Sequence, residues 1–105
     1  MSPATAVAAP PVAPSPAAEL ARLRGEIERI DREIVGLIAE RVALARQVGP
    51  IKQALGMPTL DPPREAAVVR RAGQVARDAG LDDESVRYVF WHLVGLSRRA
   101  QLEAE

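Results

Sequence analysis

Apolar residues recur at alternating steps of three and four from Leu20 onward: Leu20, Leu23, Ile27, Ile30, Ile34, Leu37, then Leu44, Val48, Ile51 and Leu55. This is a heptad seam sustained over five repeats and interrupted once, by Arg41. It predicts a helix over residues 18–55, about 55 Å long at about 1.5 Å per residue. A compact globule of about 85 residues is only about 30–35 Å across. One chain cannot cover such a helix, so the seam itself predicts a homodimer. Gly49-Pro50 falls in the last turns. Proline removes one backbone hydrogen bond and crowds the carbonyl four residues back, which predicts a kink near residues 46–50. The seam resumes at Ile51, so the helix is not expected to stop there.

The pattern breaks at Gly56, Met57, Pro58 and Thr59, a turn. Asp61 before Pro62 has the form of an N-cap followed by proline at the first helical position. A second helix is expected over Pro62–Ala79, with Val68, Val69, Ala72, Val75 and Ala76 facing inward and Gly80 closing it. Asp82 or Asp83 caps a third, reaching about Leu102 and carrying Val86, Val89, Phe90, Leu93, Val94 and Leu96 inward. No segment alternates as a strand would. The expected fold class is all-α, with one long helix and two shorter ones over residues 18–105.

Residues 1–17, MSPATAVAAPPVAPSPA, are uncharged and proline-rich, without helical or strand period, and read as a disordered tail. Pro10, Pro11 and Pro14 interrupt any run that could serve as a signal peptide, and no stretch suits a membrane span. A cytoplasmic location follows by default.

Composition narrows the chemistry. The 105 residues suit one domain, and the absence of cysteine excludes disulfides and thiolate metal sites. A single histidine, His92, cannot build a metal site alone, so no metal is expected. Fourteen basic residues balance fourteen acidic ones, which disfavours a dominant nucleic-acid or membrane-surface role. All the cations but Lys52 are arginine. Compositional habit accounts for the ratio, yet a compact ammonium and a planar guanidinium are different tools, so the position of Lys52 matters.

Several polar residues stand where the apolar pattern does not want them. Arg41 occupies a seam position, and burying a guanidinium calls for an anion. That anion is either a carboxylate of another helix or a ligand. Lys52 lies eleven residues further on, about 20° around the helix and about 16 Å along it, so the two side chains could flank one small dianion. Arg24 shares the heptad position of Lys52 but lies about 42 Å away. It could reach such a ligand only from a second chain, making two equal shared sites. Asp61, Arg64 and Glu65 at the second helix start are explained by capping and dipole compensation, or by a site. Ser97 and Gln101, four apart, share a face of the third helix, either as a solvated end or as part of that site.

The segments LRGEIERIDREIVGLIAERVALARQVGPIK, LDPPREAAVV and FWHLVGLSRRAQ, in this order, resemble the all-helical chorismate mutases over residues 19–102. The most specific parts are LRxxIxxID, LIAER with lysine eleven residues after its arginine, DxxRE, and Ser and Gln four apart near the end. The resemblance implies an intertwined dimer of three-helix chains acting on chorismate without cofactor. It implies that Arg24 binds a substrate carboxylate across the dimer, and that Arg41 binds one within its own chain. Lys52 would contact the ether oxygen and a carboxylate. Asp61, through its backbone, and Glu65 would hold the ring hydroxyl; Arg64 would line the pocket. Ser97 would bind a carboxylate and Gln101 would donate to the ether oxygen. The catalytic group would be Lys52, Gln101, Arg41 and Glu65. Pro50, two residues before Lys52, and the Pro62-Pro63 pair depart from the family pattern.

The implied reaction, chorismate to prephenate in aromatic amino acid biosynthesis, is a single concerted rearrangement. It needs no nucleophile, metal or redox group, only a folded substrate and donors at the breaking ether bond. Paired carboxylates call for arginines. An isochorismate pyruvate lyase or an amino-deoxychorismate mutase would use the same frame. A non-catalytic dimerisation or regulatory module would be expected to lack Lys52, Glu65 or Gln101, and all three are present.

Overall fold

The computed structural model describes residues 15–104, which form three α-helices and, among the described residues, no strand: α1 Pro16–Ala54, α2 Pro62–Asp78 and α3 Asp83–Glu103. The chain divides into two units, one ending at Ile34 and one beginning at Val35. Most of the expected tail lies outside the described residues. Its end is corrected: Pro16 and Ala17 are helical because Ser15 caps them. The Ala18 N–H donates to Ser15 Oγ at 3.1 Å and the Glu19 N–H to the Ser15 carbonyl at 2.9 Å. Serine followed by proline at the first helical position is itself a start signal.

Within the described part of the first unit there is only helix. Its polar faces carry exposed ion pairs, Arg22 with Glu19 at 2.5 Å and Arg29 with Glu26 and Glu33 at 3.1 and 2.6 Å, which solvent screening leaves weak. Leu20, Leu23, Ile27, Ile30 and Ile34 are between 43% and 57% exposed. Such a stripe stabilises nothing until something covers it.

In the second unit α1 continues without interruption through Gly49-Pro50 to Ala54. It ends in a Schellman turn: Gly56 takes a φ of +69°, its N–H donates to Gln53, and the Met57 N–H donates back to the Lys52 carbonyl at 2.8 Å. Lys52 is thus held in a closed turn at the mouth of the loop to α2. The start of α2 follows the sequence, with the Arg64 N–H donating to the Asp61 carboxylate at 3.2 Å. Gly80 at φ +74° closes it with the same turn, and Asp82 caps α3 through the Ser85 N–H at 3.1 Å.

The core of this unit is built from small residues: Ala45, Ala72, Ala76, Val94 and Ala100 are buried, as are Gly49 and Gly73. Small residues let helices approach closely. A Cβ added at Gly49 would lie 2.6 Å from the Gln101 carbonyl oxygen, so α1 and α3 touch backbone to backbone there. Two expected core residues are corrected: Val75 is 60% exposed and Val89 55% exposed. Among the described residues no helix is long and apolar enough to cross a membrane.

Candidate active site

A cavity of about 290 Å³ opens between the C-terminal half of α1, the start of α2 and the C-terminal half of α3. Its size lies near the lower end of the range for small-molecule sites. Arg41 and Lys52 enter from α1, Asp61, Arg64 and Glu65 from the α2 start, and Ser97, Arg98 and Gln101 from α3, over apolar walls that include Leu44, Val48, Val68 and Val94. Seven of the eight residues singled out in the sequence therefore meet in one place. The eighth, Arg24, belongs to the first unit, is exposed, and does not line this cavity.

Arg41 donates to the Ser97 hydroxyl, which is buried, and to the Leu93 carbonyl at 3.4 Å. Both partners are neutral. Burial, and next the nearby charge of Arg64, push the Arg41 guanidinium below its ordinary pKa, so its charge is costly to hold without an anion. An arginine nonetheless stays protonated in a protein. Among the described residues no carboxylate forms an ion pair with Arg41, Lys52 or Arg64. Lys52 directs its ammonium to the Thr59 carbonyl at 3.1 Å, across the turn its own backbone closes. Gln101 has its side-chain oxygen buried with no hydrogen-bond partner, an orphan among otherwise satisfied groups.

Glu65 is engaged in a way the sequence does not reveal. Arg98 donates to it twice, from Nε to Oε2 at 3.0 Å and from Nη2 to Oε1 at 2.5 Å. The Glu65 side chain is only 14% exposed. Arg98 follows Ser97 directly and sits beside Arg99, and no local spacing links it to a residue 33 positions earlier. Only the packing of α2 on α3 brings the two together.

The rim and walls therefore hold four cations, Arg41, Lys52, Arg64 and Arg98, and two carboxylates, Asp61 and Glu65, an excess of two positive charges. Among the described residues no cluster of His, Cys, Asp and Glu could hold a metal ion. The arrangement suits a small dianion with an apolar body and a few polar substituents.

The family model described as chorismate mutase type II matches residues 23–102. A chorismate mutase of Methanocaldococcus jannaschii is 35% identical over 83 residues, covering 79% of this chain and 84% of that protein. A 4-amino-4-deoxychorismate mutase of Streptomyces venezuelae is 34% identical over 65 residues, 62% of this chain and 63% of that one. Among solved structures, a conserved hypothetical protein from Pyrococcus furiosus superposes with a TM-score of 0.64 at 33% identity, covering 84% of this chain and 99% of the other.

Proposed function

The chain belongs to the type II chorismate mutase family, and from that premise we propose that its helix-lined cavity binds chorismate and rearranges it to prephenate. The observation that carries this assignment is the charge excess at the cavity, with Arg41 half-buried and, among the described residues, matched by no carboxylate. Chorismate has two carboxylates, an apolar ring and a hydroxyl, so a dianion restores the balance that the free cavity lacks.

Arg41, Arg64 and Ser97 hold the carboxylates and fold the enolpyruvyl arm over the ring, which removes the entropy of finding that conformer. Negative charge grows on the ether oxygen as its bond breaks. Lys52, pinned by its turn, and Gln101, through the N–H of its side-chain amide at the cavity wall, supply fixed donors for it. Each such donor typically contributes about 10²–10³ in rate. Glu65 accepts from the ring hydroxyl, and the Asp61 backbone helps to seat it. No residue need act as a nucleophile.

Arg24 is supplied by a second copy, as its heptad distance from Lys52 requires. The exposed stripe from Leu20 to Ile34 is the surface on which that copy would lie, and the active species is an intertwined homodimer. A cytoplasmic location belongs to the same proposal. Incubating purified protein with chorismate and following prephenate by chromatography tests the activity. Absence of prephenate from folded protein would remove the assignment. Sedimentation at micromolar concentration should give twice the chain mass.

A further inference from the structure

Resting on the mutase assignment above, we propose that Arg98 is a positioning and specificity residue: it holds Glu65 as a charge-balanced acceptor, so that the cavity favours a neutral hydroxyl over an ammonium on the substrate ring.

The geometry carries the first half. A carboxylate has about four lone-pair directions, and the two-pronged donation from Arg98 occupies one on each oxygen. The remaining directions stay free to accept from a ligand, and Glu65 is itself among the residues lining the cavity. Glu65 is fixed in rotamer by two charge-assisted bonds, where an unpaired glutamate would sample several positions. At 14% side-chain exposure it has little water to replace the lost partner.

Charge carries the second half. Beside Arg98 the carboxylate is locally neutralised, and a substrate hydroxyl loses nothing by this because it needs only an acceptor. A ring amine is protonated at neutral pH. It would meet the Glu65 charge already spent on Arg98, and the guanidinium charge close behind it. The whole cavity points the same way. Its excess of two positive charges within one chain, raised to three by Arg24 of the second copy, favours a dianion over the net charge of minus one that an ammonium in place of the ring hydroxyl would leave. Removing Arg98 would leave Glu65 unpaired and lower that excess by one, both of which favour the amine.

The test compares kcat/KM for chorismate and for 4-amino-4-deoxychorismate in wild type, Arg98→Met, Arg98→Lys and the surface control Arg99→Met, with thermal midpoints for each. Wild type should prefer chorismate. Arg98→Met should lose at least about tenfold on chorismate while the preference ratio shifts toward the amine by about tenfold or more, since a unit charge within a few ångströms is worth that much even when partly screened. Arg98→Lys should restore most of the ratio, and Arg99→Met should leave both substrates unchanged. In a Glu65→Gln background, Arg98→Met should move the ratio less than in wild type, because only the change in cavity charge remains. Equal losses on both substrates in Arg98→Met, or an unchanged ratio in Arg98→Lys and Arg98→Met alike, would overturn the proposal. A wild type that converts neither substrate would instead overturn the mutase assignment. If Arg98→Met does not fold, Arg98→Gln in its place reads the same ratio.

Discussion

Replacing Gly49 with alanine tests whether the backbone contact between α1 and α3 sets the chemistry. The added Cβ would sit 2.6 Å from the Gln101 carbonyl oxygen and 3.3 Å from its carbonyl carbon and Cα. Ordinary contact begins at 3.4 Å, so the last turn of α3 must retreat by about 0.8 Å. No flexible side chain can yield instead, because the obstructing atoms are helix backbone. Overpacking of this kind costs about 1–3 kcal/mol, and the better helix propensity of alanine returns about 1 kcal/mol. A net loss of about 1 kcal/mol lowers the melting midpoint of so small a domain by about 4–8 °C. The larger effect falls on Gln101, which moves with its backbone. A misplacement approaching 1 Å typically costs up to about 100-fold, so kcat should fall about 10–100-fold, and KM much less. Gly95→Ala is the control: among the described residues nothing beyond its own stretch of helix lies within 4 Å of its added Cβ, so it should raise the midpoint and leave kcat alone. Steady-state kinetics and calorimetry on both variants decide the matter. A Gly49→Ala enzyme with wild-type kcat and a raised midpoint would show that α3 can shift without moving its amide.

Arg24→Ala and Lys52→Ala should each be nearly inactive, yet mixed in equal amounts and re-dimerised they should recover about a quarter of wild-type activity, because half the dimers are mixed and each has one intact site; demonstrated exchange without recovery would put Arg24 outside the shared site. Arg41→Met should abolish turnover, by about 10³-fold or more, while raising the melting midpoint by about 2–5 °C, since a cation held among neutral partners is removed and Ser97 can turn to the Leu93 carbonyl; a lower midpoint would mean that the charge is compensated in the free protein. Gln101→Glu should be weak at neutral pH, where its carboxylate repels the growing charge on the ether oxygen. It should recover as the solution is acidified toward the ordinary glutamate range near about 4.3, where the protonated form can donate. A pH profile of kcat/KM parallel to that of wild type would remove Gln101 from the ether oxygen.

Much of the cavity was legible because helical spacing alone aligns residues that later converge. Arg41 and Lys52, eleven apart, had to share a face, and Ser97 and Gln101, four apart, had to stack. Asp61 shows why single residues stay ambiguous: it caps α2 through the Arg64 N–H and lines the cavity as well, so capping does not exclude a place at the site. Periodicity could not supply the relation between elements. The Arg98–Glu65 pair exists only because of the way α2 packs on α3, and Val75 and Val89 are exposed although their helical spacing suits an inward face. Gly49 was read beside Pro50 as a source of bending. It also supplies a lack of side-chain volume, apparent only once the Gln101 carbonyl is seen against it.

In the proposed dimer, the uncovered stripe on α1, from Leu20 to Ile34, would make the amount of this enzyme a parameter of its folding. If the stripe is buried only by a second copy, native structure is second order in chain, and each tenfold dilution removes about 1.4 kcal/mol of stability per dimer. Melting temperature should then climb with protein concentration, and degradation should be fastest when synthesis has just begun. A mutation that weakens the stripe would leave the cavity chemistry untouched and still lower the flux, by raising the concentration below which the catalyst ceases to exist.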